Sequence, residues 1–196
     1  MQKTIDEILP FWFGHLSDEG LCDPAQHSLW FKSSADTDRQ CKDRFGVVVE
    51  RAMAGELDHW AATDEGLIAL ILLLDQLPRN IHRGTPAAFA GDPRSLALSQ
   101  QAIAQGRHLK LPLIHRVFLY LPLEHCEDLA VQEQCVLLFS QMVSATGLDQ
   151  MKDFARYATA HRDIIAEFGR FPHRNVILGR SSSAAELQHI ASHGGF

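Results

Sequence analysis

The run from Leu67 to Leu74 constrains the fold of this chain most, because it is apolar at every position. A helix over this run has no polar face to turn toward water, so other elements must surround it. The run is far shorter than the roughly 18 apolar residues that a membrane span requires. Asp75 follows directly, and Pro78 favours a helix end just beyond it. The run therefore predicts the buried centre of a helical core.

Helix start and stop signals recur along the chain, whereas alternating apolar and polar residues of the kind found in strands are hard to find. Thr4–Glu7 and Ser183–Glu186 both match a capping box, and Asp92-Pro93 is a further helix start. Gly169 is placed to end a long amphipathic helix. We therefore predict an all-α fold of about eight to ten helices. No linker divides the 196 residues, so we expect a single domain over residues 1–196.

Composition excludes several classes of protein. The net charge of −6 at pH 7 and a pI near 6.0 argue against a nucleic-acid partner. The N-terminus reaches acidic residues before any long apolar stretch, so we expect a cytoplasmic protein with no membrane contact. Four cysteines occur without a C-x-x-C pair, and motifs for phosphate loops, nucleophile elbows and zinc are absent from the sequence. We therefore predict no cofactor and no metal.

Two segments of similar sequence each follow an apolar helix. The first Arg-Asn segment runs from Leu77 to Thr85, and the second Arg-Asn segment runs from Phe171 to Ser181. Both place guanidinium, amide and imidazole groups beyond a helix end, where donors and positive charge are favoured. If the two segments meet, they form a cationic cleft suited to a carboxylate or a phosphate. The candidate ligand-binding residues are Asp75, Arg79, Asn80, Arg83, His161, Arg170, His173, Arg174, Asn175 and Arg180.

Three of these residues are also catalytic candidates. Asp75 needs a cation, because desolvation and the helix dipole both disfavour a carboxylate at the end of a buried helix. His161 falls on the apolar stripe of its helix, where a histidine often serves as a core hydrogen-bond donor. His173 stands in a loop, where side chains commonly contact ligands. Adjacent Glu124, His125 and Cys126 point in different directions on a helix and do not predict a metal site.

Three functional hypotheses follow from these residues. In the leading one, the cleft binds a small anionic ligand or an acidic peptide end. In the second, the protein is a hydrolase or transferase acting on a phosphorylated or carboxylated metabolite, with His161 or His173 as acid or base and Asp75 as its partner. In the third, both segments are structural: buried ion pairs hold the helices, the asparagines stabilise turns, and protein partners bind elsewhere.

Four motifs are shared with a known family: Phe11–Gly14, Asp75–Asn80 with Arg83, Pro122–His125, and Phe168–Arg180 followed by Ser181. Phe168–Asn175 is the most specific string among them. With these motifs the sequence resembles one bacterial family, called domain of unknown function 924. The resemblance implies an all-helical fold similar to the tetratricopeptide-like superfamily, in which antiparallel helix pairs stack in a right-handed arrangement and leave a concave face. Ser181–Ser183 departs from the Ser-Thr pair that usually follows the final Gly-Arg of the family. The resemblance implies no activity.

Overall fold

The computed structural model of the protein describes residues 2–32 and 34–194. The all-helical prediction is confirmed, since these residues contain no strand beyond an isolated bridge between Leu16 and Cys22. They form about nine helices when the continuous segment 64–81 is counted once. Over the same ranges, no helix combines the length and the apolar character needed to cross a membrane. The tetratricopeptide-like stacking of helix pairs stays a prediction.

The described chain divides into two compact units, and the single-domain organisation also stays a prediction. The first unit comprises the residues up to Arg83 together with Ala87–Pro122, and the second comprises Gly84–Pro86 and the residues from Leu123 onward. The helices are α1 Gln2–Phe13, α2 Gln26–Phe31, α3 Ala35–Met53, α4 Asp64–Ile71, α5 Leu77–Ile81, α6 Asp92–Ala104, α7 Leu113–Glu124, α8 Leu129–Thr146, α9 Asp149–Phe168 and α10 Ala184–His193.

The predicted buried run lies at the centre of the first unit. All residues from Leu67 to Leu74 are fully buried, and α4 packs against both α1 and α6. The helix continues through a π-helical turn, Leu72–Gln76, before α5 begins. The backbone of Gly91 lies against the carbonyl of Leu74, where an added Cβ would collide with that oxygen. Glycine is therefore required at this contact with the central helix.

The first helix begins earlier than the sequence predicted. The capping box at Thr4 is wrong, because α1 already runs from Gln2 and places Thr4 inside the helix. A threonine hydroxyl can bond to a carbonyl of the preceding turn, so Thr4 does not force a helix start. Trp12 of α1 packs edge-on against Phe118 of α7, and its carbonyl accepts a hydrogen bond of 2.8 Å from the Trp30 indole. These contacts complete the aromatic part of the core.

The beginning of α3 is tied to the end of the central helix through Asp38. Its carboxylate accepts hydrogen bonds from the Asn80 amide at 2.9 Å and from the Arg83 guanidinium at 2.6 and 2.8 Å. Hydrogen bonds from Arg83, with a smaller contribution from Asn80, lower the pKa of Asp38. The charged form of Asp38 is therefore favoured by folding, and we call this arrangement the Asp38 clamp.

The second unit is built on the helix pair α8 and α9. Gly147, in a left-handed conformation with φ of +68°, ends α8, and a short turn leads into α9. Cys135 and Phe139 of α8 are buried, and Phe139 stacks on Phe154 of α9 with 6.4 Å between ring centroids. The predicted end of α9 at Gly169 is confirmed. The second Arg-Asn segment then leads through a 3-10 turn toward α10.

We expect Asp38→Asn to lower the free energy of unfolding by about 1–2 kcal/mol at neutral pH, because the charge-assisted hydrogen bonds to Arg83 are lost. All three tryptophans lie in the first unit, so tryptophan fluorescence during urea unfolding reports on this clamp. The folded pKa of Asp38 is depressed, so its stabilising contribution is complete above about pH 4 and is lost at lower pH. The difference in free energy of unfolding between Asp38→Asn and the wild type should therefore become smaller in acid.

The matched control for this prediction is Asp43→Asn, since Asp43 is an exposed carboxylate on the same helix. Its effect should stay within about 0.5 kcal/mol. Equal destabilisation by both substitutions would show that the Asp38 clamp has no special role.

Candidate functional site

Arg79, from the first Arg-Asn segment, lies between two carboxylates of the first unit. Its guanidinium donates to both oxygens of Asp92 at 2.8 Å and to the carbonyl of Ala88, and it lies 3.7 Å from Asp75. The fully buried Asp75 also accepts a hydrogen bond from Gln76. The cation that the sequence predicted for Asp75 is therefore Arg79. Together with the Asp38 clamp, this places Arg79, Asn80 and Arg83 on carboxylates of their own unit.

Glu186 of α10 has the corresponding place in the second unit. Arg170 donates to both of its oxygens at 2.6 and 2.9 Å, and Asn175 donates to it at 3.2 Å. Glu186 also completes the predicted capping box of α10. Its carboxylate accepts a hydrogen bond from the Ser183 N–H at 2.7 Å, and the Ser183 hydroxyl accepts one from the Glu186 N–H. The hydrogen bonds from Arg170, and next those from Ser183, hold the pKa of Glu186 well below its ordinary value. We call this arrangement the Glu186 clamp.

Arg180 is held in a similar way. It donates to both carboxylate oxygens of Glu127 at 2.6 and 2.9 Å and to the Asn175 side-chain oxygen at 2.9 Å. Glu127 also accepts a hydrogen bond from the Phe171 N–H, at 2.8 Å. Three of the predicted site residues, Arg170, Asn175 and Arg180, therefore connect carboxylates to the loop between α9 and α10. That the two Arg-Asn segments share one cleft stays a prediction.

Among the predicted residues, His161 on α9 lies against a carboxylate. Its Nδ1 lies 3.1 Å from Oε1 of Glu124 and 2.9 Å from the carbonyl oxygen of Tyr157. Both neighbours are hydrogen-bond acceptors, so the proton of a neutral ring resides on Nδ1 and leaves a lone pair on Nε2. The Glu124 side chain is 5% exposed and the His161 side chain 14% exposed. The two form a largely buried carboxylate–imidazole pair with limited access to solvent.

The carboxylate that lies against His161 is Glu124, and the predicted role of Asp75 as partner of a catalytic histidine stays a prediction. Glu124 ends the apolar helix α7, as Asp75 lies at the end of the central buried run. A buried carboxylate that needs a partner was thus a signal present in the sequence at both positions. The helix end predicted at Asp75 is wrong, because the helix continues through the π-helical turn into α5. The sequence did not indicate which carboxylate would lie against His161. Glu124 and His161 belong to different helices, and only folding brings them together.

Rings and a guanidinium gather around this pair. The ring of Phe171 is fully buried and lies 5.6 Å from that of His161 and 5.8 Å from that of His173, between centroids. The Arg174 guanidinium lies 4.6 Å from the Phe171 centroid, and the His125 ring is 6.3 Å from that of His161. The structure therefore brings together His161, His173 and Arg174 from the predicted site, and adds Glu124 and His125.

Burial is the main cause that lowers the pKa of His161 to about 3, and the nearby charge of His125 adds to it. Electrostatic interactions with Arg174 and His173 also lower the pKa of His161. The ring is therefore neutral at physiological pH, which agrees with the single proton that its two acceptors require on Nδ1. Among the described residues, no three side chains of the His, Cys, Asp and Glu types are placed to hold a metal ion.

Comparison with known proteins places the chain in a family. The model of a bacterial protein family of unknown function, DUF924, matches residues 8–194, and the chain belongs to this family. The protein is also similar to a solved structure, a protein of unknown function, ATU0120, from Agrobacterium tumefaciens. The two are 34% identical, the alignment covers 97% of this chain and 98% of that one, and the TM-score is 0.81. The search of curated proteins found no match.

We expect Glu186→Gln to speed hydrogen exchange of the α10 amides at neutral pH, because a neutral amide binds the Arg170 guanidinium more weakly than a carboxylate does. The clamp depresses the pKa of Glu186, so wild-type protection should persist above about pH 4.5 and fall in acid, while the variant should lack this acid dependence. Glu133→Gln, at an exposed carboxylate of α8, is the control. Unchanged exchange in Glu186→Gln would contradict a stabilising clamp.

The state of His161 can be measured by nitrogen-15 NMR of its ring. We expect a proton on Nδ1 and none on Nε2 at neutral pH, because Nδ1 faces two acceptors. The ring should stay neutral as the pH falls from about 7 to about 4, since its pKa is lowered to about 3. A ring that gains a proton near pH 6, or that carries its proton on Nε2, would contradict this geometry.

Proposed function

We propose that the second unit carries an acid–base catalytic site for a small carboxylated or phosphorylated molecule. His161 is the general base and Glu124 orients its ring. The observation that carries this proposal is the position of the His161 Nδ1 atom, between the Glu124 carboxylate at 3.1 Å and the Tyr157 carbonyl at 2.9 Å. This contact fixes both the ring orientation and the tautomer, so that Nε2 is the atom able to accept a proton.

The buried carboxylate assists proton transfer through its charge. When Nε2 takes a proton, the ring becomes an imidazolium, and a carboxylate 3.1 Å from Nδ1 stabilises that cation. The interaction is strengthened by burial, because screening by water is weak there. Without bound substrate, the His161 ring is a weak base with a pKa of about 3. A bound anion beside the ring raises its proton affinity, so the base becomes stronger when substrate is present.

The substrate class follows from the groups around His161. Arg174 and His173 both lie close enough for their charges to lower the His161 pKa, so a negative group bound there would be attracted by the same field. The Arg174 guanidinium is oriented by stacking on the buried Phe171 ring. Such a fixed cation stabilises negative charge that develops on a carboxyl or phosphoryl group during reaction. Hydrolysis and group transfer are the reactions that need both functions.

Binding without catalysis is the second candidate, and it corresponds to the leading hypothesis from the sequence. It is supported by the gathering of His125, His161, His173 and Arg174, which supplies donors for a small anion or for the carboxylate of an acidic peptide end. Arg79, Asn80, Arg83, Arg170, Asn175 and Arg180 contribute less to this proposal, because each donates to a carboxylate of the protein itself.

Hydrolysis of p-nitrophenyl acetate and p-nitrophenyl phosphate tests the catalytic proposal. We expect measurable turnover of at least one compound, and a decrease in kcat of about 100-fold or more for His161→Gln, because the base is removed. Glu124→Gln should also lower kcat, since the imidazolium loses its stabilising charge. His59→Gln, at an exposed histidine of the first unit, should leave the rate unchanged.

Titration with inorganic phosphate separates the two candidates. Both predict changes in the ring resonances of His161 and His173, whereas only the catalytic proposal predicts turnover. Turnover that is equal in wild type and His161→Gln would contradict the base role. Phosphate that leaves both rings unaffected would contradict binding of an anion at this site.

A further inference from the structure

The second unit contains a cavity beside the candidate catalytic pair, lined by α9, α10 and the turn between them. Its volume is about 390 Å³, within the range of roughly 300–1,000 Å³ that is typical of small-molecule sites. Ile164 and Glu167 line it from α9, and His189 and His193 line it from α10. His173 also lines the cavity, whereas His161 does not. The cavity can therefore be tested apart from the acid–base pair.

Flat rings and apolar groups form much of the cavity wall. The rings of His189 and His193 are stacked, with 4.7 Å between centroids and an interplanar angle of 25°. Phe168 supports this stack, since its ring lies edge-on to His189 at 5.1 Å. Ile164 and Pro172 add apolar surface. A planar or aliphatic body of a few carbon atoms can bury its surface against such a wall.

Two carboxylates line the cavity. Asp163 and Glu167 lie one helical turn apart on α9, and no lysine or arginine is among the lining residues. Asp163 is paired with Arg162 at 2.8 Å. Within the part of the chain that the structure describes, Glu167 is in no ion pair. The cavity therefore combines a wall of apolar groups and imidazole rings with the carboxylate of Glu167.

We propose that this cavity binds a small organic cation, an amine with an aromatic or aliphatic body. The ammonium group pairs with the Glu167 carboxylate, while the body packs against Ile164, Pro172 and the stacked histidine rings. A carboxylate beside an apolar surface suits a small amine, because the carboxylate pairs with the ammonium group while the apolar surface accommodates the body. This site goes beyond the acid–base function and does not depend on it, since neither His161 nor Glu124 lines the cavity.

The test uses three probes of one shape: benzylamine, benzyl alcohol and benzoate. Binding is measured by titration calorimetry and by chemical-shift changes of α9 and α10. We expect benzylamine to bind more tightly than benzyl alcohol, and benzoate to bind most weakly, because only the amine complements Glu167. Glu167→Gln should weaken benzylamine binding about fivefold, the upper end of the range for an exposed ion pair, and Glu133→Gln should leave it unchanged.

A second variant, Ala160→Leu, tests the position of the probe, because a larger side chain at Ala160 reduces the cavity without removing a charge. This variant should abolish the chemical-shift changes that benzylamine causes in α9 and α10. The proposal is overturned if benzoate binds as tightly as benzylamine, if wild type shows no benzylamine binding, or if Glu167→Gln leaves the Kd unchanged. None of these outcomes depends on hydrolysis of p-nitrophenyl compounds, so failure here and failure of the acid–base proposal are distinguishable.

Discussion

Carboxylates held by an arginine and an asparagine are the interaction on which each unit depends. In the first unit, Asn80 and Arg83 at the end of the central helix hold Asp38 of α3. In the second unit, Arg170 and Asn175 hold Glu186 at the start of α10. In both cases the charge-assisted hydrogen bonds join separate elements, and the carboxylate pKa is lowered as a result. The partners are 42 and 45 residues apart in the first unit, and 16 and 11 residues apart in the second. An arginine and an asparagine thus perform the same structural task in both units, with Arg170 standing just before the second Arg-Asn segment.

This use of the arginines explains why most of the predicted arginines serve the structure of their unit. The donors of Arg79, Arg83, Arg170 and Arg180 are directed at carboxylates of the protein, so these residues organise helices and loops. The Glu186 clamp and the Arg180 contacts hold the loop on which His173 and Arg174 stand. That loop faces His161 through the buried Phe171 ring. The Glu186 clamp, the Arg180 contacts and the candidate catalytic pair therefore belong to one connected arrangement in the second unit.

The fold was predictable where local physics decides it. The apolar run from Leu67 to Leu74 has no polar face and must be buried. The left-handed Gly169 and the capping box at Ser183 mark helix ends by backbone chemistry alone. The early start of α1 was missed, because a capping signal near a chain end competes with simple continuation of the helix. The residue types at the candidate site were also predictable, since a buried carboxylate at a helix end requires a partner.

The sequence by itself determined an all-helical fold, its most buried helix, and the need of Asp75 for a cation, because these follow from hydrophobic pattern, capping and desolvation within a few residues. Only the tertiary structure decided that Glu124 is the partner of His161 and that Glu186 is the partner of Arg170 and Asn175. Such pairings depend on distances between segments that are remote in sequence. Several carboxylates and several cations satisfy the same local rules, and chain packing alone selects among them.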